Sequence, residues 1–196
     1  MSNEQLKEAV KCLDAVLGIA TVCMFKDMDD PRRRMLYGKA GEYRLPPHGL
    51  EYRVLSNAWL CHPLITNLVL DLARNCVVAS VTGVFKYWKH NEEETIRIIN
   101  ECDYKAAKKL LTVNKELFCK MLATVDKEEL SIKVRYNMFH KGATNYIKDI
   151  TDFNSNWNIT TEWKGCCGSV NKKWRNANRS FIDYEKGEII KNAKVA

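Results

Sequence analysis

One segment near the C-terminus combines cations and aromatic rings without any acidic residue. Between Trp163 and Phe181 of the 196-residue chain, not one Asp or Glu occurs. The basic and aromatic residues of interest there are Lys164, Lys172, Lys173, Trp174, Arg175 and Arg179. Cations neutralise phosphates and aromatic faces stack on unpaired bases, so the segment predicts contact with nucleic acid. An ordinary solvated face beside aromatic core residues is the alternative interpretation.

A second basic cluster consists of three consecutive residues, Arg32, Arg33 and Arg34. Because guanidinium groups bind phosphate or carboxylate in bidentate pairs, the cluster predicts an anion-binding site. The alternative is local neutralisation by the acidic residues just upstream, which are Asp27, Asp29 and Asp30.

The spacing of cysteine and histidine does not indicate a metal site. Cys61-His62 and Cys166-Cys167 are adjacent pairs, whereas zinc ligands usually lie roughly two to four residues apart. No nucleophile elbow and no glycine-rich phosphate loop occurs. We therefore predict no metal, no cofactor and no catalytic residue. Cys166 and Cys167 are the candidates for reactive thiols, because the nearby Lys164 favours the thiolate.

One weaker enzymatic pattern involves carboxylates and a lysine. Asp149 or Asp152, followed by Glu162 and Lys164, resembles the acidic residue and E-x-K arrangement of metal-dependent nucleases. The predominantly helical character of the preceding chain disagrees with the sheet-centred core of such enzymes.

Apolar periodicity predicts that helices position these residues. Ser2 and Gln5 have capping-box spacing, and apolar residues then recur at three- and four-residue steps, which predicts a helix over residues 3–24. The chain from there to Leu55 has the breakers of a loop or short strand. After Pro63, residues 64–88 are apolar on most faces, so we expect this helix at the centre of the core.

Capping residues predict the later helices. Asn91 before three consecutive glutamates predicts a helix start, because its side chain caps orphan amides and the carboxylates complement the helix dipole. The further helices predicted in the same way are Asp103–Val113, Asn114–Thr124, Asp126–His140 closed by Gly142, and a stretch over Ala143–Phe153.

The C-terminal part has the composition of a small β element. Residues 159–163 read as a strand, and Phe181–Tyr184 with Glu188–Ile190 flank a glycine-containing turn, which predicts a hairpin. The predicted fold is therefore mainly α, a single helical domain around a buried central helix with a minor β element near the C-terminus. The domain covers residues 1–196, with a helical body over about 1–153 and a basic, partly β segment over about 154–196.

Composition predicts a cytoplasmic protein with an acidic partner. Thirty-one Lys and Arg residues against 24 Asp and Glu residues give a net charge of +7, which favours nucleic acid or an acidic protein. Eight cysteines without CxxC pairs fit a reducing compartment, and residues 1–14 are too charged for a signal peptide. Asp71, Arg74 and Lys86 interrupt the longest apolar stretch, so no membrane association is expected.

These patterns predict a non-enzymatic binding module. It would contact nucleic acid, or a machine that handles nucleic acid, through Arg32–Arg34 and Lys164–Arg179. The alternatives are an inhibitor or adaptor directed at an acidic protein surface, of the kind that phages and plasmids carry as accessory proteins, and the metal-dependent nuclease. The sequence does not indicate an oligomeric state.

Overall fold

The computed structural model describes residues 1–26, 28–47, 49–123, 130–147 and 150, together with the backbone of two strands at 179–183 and 188–191. Most of these residues are helical, which confirms the mainly α prediction. The strand predicted at 159–163 and part of the stretch predicted as helix over Ala143–Phe153 lie outside the described residues. At the start of that stretch the chain forms a 3-10 turn, Ala143–Asn145.

The N-terminal helix runs without a break through three segments. They are α1 (Asn3–Cys12), a π-helical segment (Leu13–Gly18) and α2 (Ile19–Met24). The predicted capping box is present: Gln5 N donates to Ser2 Oγ at 3.2 Å, and Ser2 N donates to Gln5 Oε1 at 2.9 Å. The helix predicted over residues 3–24 is therefore confirmed, and the π-helical segment in its middle is an addition that the apolar periodicity does not reveal.

This N-terminal helix is the centre of the core. From Leu13 to Phe25 every residue is buried, and the helix packs against α4 (Pro63–Val81) and three later helices of the chain. α4 has only one buried face, since Leu70, Val78 and Val81 are each more than half exposed. The prediction that residues 64–88 form the central helix was therefore wrong. Because the sequence of α4 is apolar on most faces, it does not indicate which face packs against the core or whether the helix lies at its centre.

α4 is also, among the described residues, the helix that is long and apolar enough to cross a membrane. That test uses length and composition alone, and the core helix of a soluble protein passes it equally well. Its inner face, which includes Ile65, Leu72 and Cys76, is buried in the protein core.

Side-chain caps set the starts of the later helices. α5 (Glu92–Glu101) begins after Asn91, whose Oδ1 accepts from Glu94 N at 2.9 Å, as predicted. α6 (Tyr104–Val113) and α7 (Lys115–Ala123) confirm two more predicted helices. α8 (Ile132–Lys141) starts later than its predicted start at Asp126, because Ser131 is its N-cap. The predicted stop at Gly142 is confirmed, with φ 95° at that residue.

Replacing Asn91 by alanine is expected to lower the free energy of unfolding by about 1 kcal/mol, because the amide of Glu94 loses its acceptor. Urea denaturation monitored by circular dichroism measures this change. Asn67→Ala is the matched control: Asn67 is exposed within α4, where alanine is the better helix former. Equal loss of stability in both variants would contradict the capping role.

The sheet has four short strands in the order β2-β1-β3-β4, all antiparallel. They are β1 (Glu42–Arg44), β2 (Glu51–Tyr52), β3 (Arg179–Asp183) and β4 (Glu188–Lys191). Tyr43 pairs with Tyr52 on one side and with Ser180 on the other. β3 and β4 form an antiparallel hairpin where one was predicted. The β structure is not confined to the C-terminal part, because β1 and β2 come from a segment predicted as loop or short strand.

Candidate functional site

A groove lies between α1, α4 and the segment that follows β2. It has a cavity volume of about 650 Å³, which is within the range of small-molecule sites. Its walls are mainly apolar, with Leu17, Trp59 and Val77 among them. The charged groups that line it are Glu51, Arg53 and Arg74. A mainly apolar cleft with a few polar groups is the usual form of a small-molecule site.

A buried carboxylate lies directly behind one wall of this groove. Asp14, in the π-helical segment, is fully buried. Tyr52, a lining residue, donates its hydroxyl hydrogen to Asp14 Oδ1 at 2.6 Å, and Gly41 N donates to Oδ2 at 2.6 Å. Short π-helical segments occur frequently at functional sites. Asp14 therefore holds the Tyr52 side chain in place from within the core.

Gly18 in the same π-helical segment leaves the space that this arrangement needs. A Cβ atom at Gly18 would lie 3.1 Å from the Tyr52 hydroxyl and 2.8 Å from Ile99 Cδ1. The second distance is shorter than real Cβ contacts, so a larger residue would displace Ile99 and crowd Tyr52.

Replacing Tyr52 by phenylalanine is expected to lower the free energy of unfolding by about 1–3 kcal/mol, because the buried carboxylate of Asp14 loses a hydrogen-bond donor. Equilibrium unfolding in urea measures the change. Tyr87→Phe serves as the control, since Tyr87 is 67% exposed. A loss no larger than that of the control would mean that the bond to Asp14 does not stabilise the fold.

Next to the groove lies a set of buried and partly buried charges that we call the charge cluster: Asp29, Arg33, Arg34, Glu42 and Arg53. Arg33 Nε donates to Asp29 Oδ1 at 2.7 Å, and Arg34 Nη2 lies 3.3 Å from Asp29 Oδ2. Both arginines also donate to the carbonyl of Val54, at 2.7 Å from Arg33 Nη2. Arg33 and Arg34 thus join α3 (Arg33–Leu36) to the segment that follows β2.

Arg32 takes a different direction from its two neighbours. Its side chain is 85% exposed and forms an ion pair of 2.6 Å with Asp30. The hydrogen bonds from Arg32 lower the pKa of Asp30, and the same bonds raise the pKa of Arg32. The structure therefore shows the local neutralisation that was weighed against an anion site, and the anion-binding role of Arg32–Arg34 stays a prediction.

Arg53 connects the charge cluster to the groove. Its Nη1 lies 3.5 Å from Oε1 of Glu42, a residue that is 1% exposed, and its Nε lies 3.6 Å from Oε1 of Glu51. Glu42 Oε1 forms no hydrogen bond within the described residues, although its Oε2 accepts from Gly38 N. Two long ion-pair contacts leave the guanidinium able to hold a further carboxylate in a bidentate pair.

The C-terminal candidates cannot be placed in this site. Lys164, Lys172, Lys173, Trp174 and Arg175 lie outside the described residues, and so do Cys166 and Cys167. The nuclease pattern of Asp149, Asp152 and Glu162 also lies outside them. Arg179 is the first residue of β3. Contact of these residues with nucleic acid or an acidic protein stays a prediction.

Cys23, Cys61 and His62 have structural roles in the described chain. Burial raises the pKa of the Cys23 thiol to about 12 and that of Cys61 to about 11. His62 Nδ1 accepts from Leu64 N at 3.2 Å and so caps α4. Within the described residues, no group of three or more His, Cys, Asp or Glu side chains is arranged to hold a metal ion.

Comparison with known proteins identifies the family. The model of the family described as phage phiEco32-like COOH.NH2 ligase-type 2 matches residues 3–159, well over half of the chain. No curated protein and no solved structure matches the chain.

The family name describes covalent bond formation between a carboxyl and an amino group, so the prediction of a non-enzymatic nucleic-acid-binding module was wrong. The same finding overturns the inhibitor or adaptor, and a nuclease is not the class that the name describes. Sequence motifs do not reveal the groove, because Arg74 of α4 lies far along the chain from Glu51 and Arg53. The chain belongs to the phage phiEco32-like COOH.NH2 ligase-type 2 family.

Proposed function

We propose that this protein joins a carboxylate to an amine through an amide bond, with the groove as the substrate site and Arg53 as the residue that binds the carboxylate. The family membership supports the reaction class. The observation that carries the assignment of the site is the position of Arg53, which lines the groove and makes only long contacts with Glu42 and Glu51.

The reaction joins an anionic carboxylate to an amine that is protonated in water, so the site needs both a cationic and an anionic side chain. The amine nitrogen attacks the carboxyl carbon, a carbon–nitrogen bond forms, one carbon–oxygen bond breaks, and the amine loses protons. Because a free carboxylate is a poor electrophile, its oxygen must leave as part of a better leaving group. A nucleoside triphosphate supplies that activation when it transfers a phosphoryl group to the carboxylate.

The side chains of the groove can bind both reactants. Arg53 offers a bidentate guanidinium to the carboxylate. Glu51 Oε1, 3.6 Å from Arg53 Nε, is placed to accept a hydrogen bond from the ammonium group and then its proton. Reactants held by these neighbouring charges would lie in contact, which removes much of the entropic cost of bringing them together.

The apolar walls indicate the kind of carboxylate. Leu13, Leu17, Leu55, Trp59 and Val69 line the groove and would remove an aliphatic or aromatic side chain from water. An acidic or amide side chain would lose its hydration there without a matching set of partners. We therefore expect an apolar amino acid, or a peptide with an apolar C-terminal residue, as the carboxylate substrate.

The test uses hydroxylamine as a small amine that traps an activated carboxylate. Full-length protein is incubated with ATP, Mg²⁺, hydroxylamine and either apolar or polar amino acids, and hydroxamates are detected by mass spectrometry. We expect ATP-dependent hydroxamates from the apolar set. A positive result confined to the polar set would overturn the substrate class. Neither hydroxamate nor ATP consumption with any amino acid, dipeptide or C-terminally apolar peptide would overturn the proposed reaction.

A further inference from the structure

The groove has a buried apolar floor and an exposed apolar rim. On the floor, Leu13, Leu17 and Val69 are at most 3% exposed. On the rim, Tyr37 is 38% exposed and Leu70 of α4 is 53% exposed. Large apolar side chains that remain exposed beside a concave site are typical of a surface that a ligand covers. We therefore expect the ligand of this groove to contact the rim as well as the floor.

The size of the groove also exceeds that of a single amino acid. Its volume of about 650 Å³ is typical of pockets that enclose a ligand the size of a drug molecule. With one amino acid bound at Arg53, much of the apolar wall would stay in contact with water. A peptide bound by its C-terminal residue would cover this wall with the residues that precede it.

Arg74 supplies a positive charge at the rim. It follows Leu70 by four residues on α4, so the two side chains lie on the same face of the helix, and both line the groove. Asp71 is three residues before Arg74, a spacing at which helical residues can pair, yet no ion pair joins these two described residues. In the part of the chain that the structure describes, Arg74 has no carboxylate partner at all. Arg53, by contrast, lies beside two glutamates.

We propose that the carboxylate substrate of the groove is a peptide with an apolar C-terminal residue and an acidic residue upstream of it. The C-terminal carboxylate binds Arg53, the C-terminal side chain packs on the floor, and the upstream Asp or Glu pairs with Arg74. Because Arg74 is exposed, the upstream acidic side chain keeps part of its hydration. Arg74 thereby selects among C-terminally apolar peptides. This inference rests on the proposed function, since it takes Arg53 as the residue that binds the carboxylate.

A nucleotide phosphate is the competing anion for Arg74, and the surroundings favour the carboxylate. Phosphate sites usually add the free amides of a helix N-terminus or of a glycine-rich loop to their cations. α4 begins at Pro63, but its groove-lining residues begin at Val69, beyond the first turn, whose amides are free. One guanidinium beside apolar walls matches the single charge of a carboxylate better than the several charges of a triphosphate.

The experiment measures peptide binding to the full-length protein by fluorescence anisotropy without ATP. The probes are short labelled peptides that end in leucine, with glutamate or glutamine placed one, two or three residues before the end. At one spacing or more, we expect the glutamate peptide to bind about fivefold more tightly than its glutamine partner, the upper range for an exposed ion pair. Arg74→Gln should reduce this ratio to about one. Arg97→Gln is the control and should leave the ratio unchanged, because Arg97 is exposed on α5 and does not line the groove.

A second pair of variants tests the rim. Leu70→Gln should weaken the binding of every peptide, because the peptide loses an apolar contact. Val78→Gln is the matched control: Val78 is 52% exposed on the same helix but does not line the groove. Circular dichroism checks that both variants remain folded. Equal peptide affinities in the two variants would show that the peptide does not cover the rim, and would overturn the inference.

The outcomes separate this inference from the proposed reaction. Arg74-dependent binding of glutamate peptides without hydroxamate formation from any substrate would overturn the reaction and support the peptide site. Hydroxamate formation without a preference for glutamate peptides at any spacing would overturn the inference and leave the reaction in place. If Arg74→Gln weakens the binding of ATP but not that of glutamate peptides, Arg74 binds a phosphate of the nucleotide and the inference is wrong.

Discussion

Replacing Asp29 by asparagine is expected to lower the free energy of unfolding by about 3–5 kcal/mol, the range observed when one partner of a buried ion pair is removed. The Asp29 side chain is 8% exposed and holds the guanidiniums of Arg33 and Arg34. Asparagine keeps the shape of the side chain but leaves the buried Arg34 and the partly buried Arg33 without their carboxylate. Guanidinium denaturation monitored by circular dichroism measures the effect.

The neighbouring ion pair supplies the matched control for this experiment. Asp30→Asn removes the carboxylate that pairs with Arg32 at the surface, where water and salt replace the interaction, so we expect little change in stability. Comparable losses of stability in Asp29→Asn and Asp30→Asn would show that burial does not determine how much an ion pair contributes to the free energy of unfolding.

Replacing Arg53 by methionine is expected to reduce kcat/KM for hydroxamate formation by about 100-fold, because the substrate carboxylate loses its bidentate partner. Arg53 also faces the buried Glu42, so the variant will lose stability as well. Activity must therefore be compared below the unfolding transition of each variant. The steady-state rate at several substrate concentrations separates a change in KM from a change in kcat.

Two further variants distinguish binding of substrate from support of the fold. Arg53→Lys keeps the charge opposite Glu42 but not the planar fork, so we expect a folded protein with intermediate activity. Arg97→Met removes an exposed arginine of α5 that pairs with Glu101 and Asp103, and should leave activity unchanged. Full activity in Arg53→Met would assign the carboxylate to another residue of the groove, of which Arg74 is the first to test.

Local chemistry explains which parts of the fold the sequence predicted well. The caps at Ser2, Asn91 and Asp103 depend on hydrogen bonds to residues three positions further on, so they can be predicted from short sequence patterns. The choice of the central helix depends on how helices pack against each other. For the same reason, the sheet that joins residues 42–52 to the C-terminal strands could not be predicted from its local sequence.

The candidate site shows the same limit. The three consecutive arginines Arg32–Arg34 predicted one anion-binding site. In the structure Arg32 points to solvent, whereas Arg33 and Arg34 belong to the charge cluster. Arg53 belongs to no motif in the sequence, although it lines the groove. Asp14 offered one usable signal, because it follows Val10 by four residues on the apolar face of an amphipathic helix. A carboxylate at such a position must find buried partners.

The pairing of β1 with β3 has a consequence for the order in which this protein is completed. Tyr43 of β1 and Ser180 of β3 are register partners. During translation, however, nearly all of the described helices are synthesised before Ser180. Before β3 is synthesised, β1 is paired only with the short strand β2. The other edge of β1 then exposes unpaired amide and carbonyl groups, which can pair with a strand of another chain. An isolated two-stranded ribbon is marginally stable in water. Closure of this edge by β3 is therefore expected to be a late step of folding, and nascent chains that end before residue 179 are expected to aggregate more readily than the full chain.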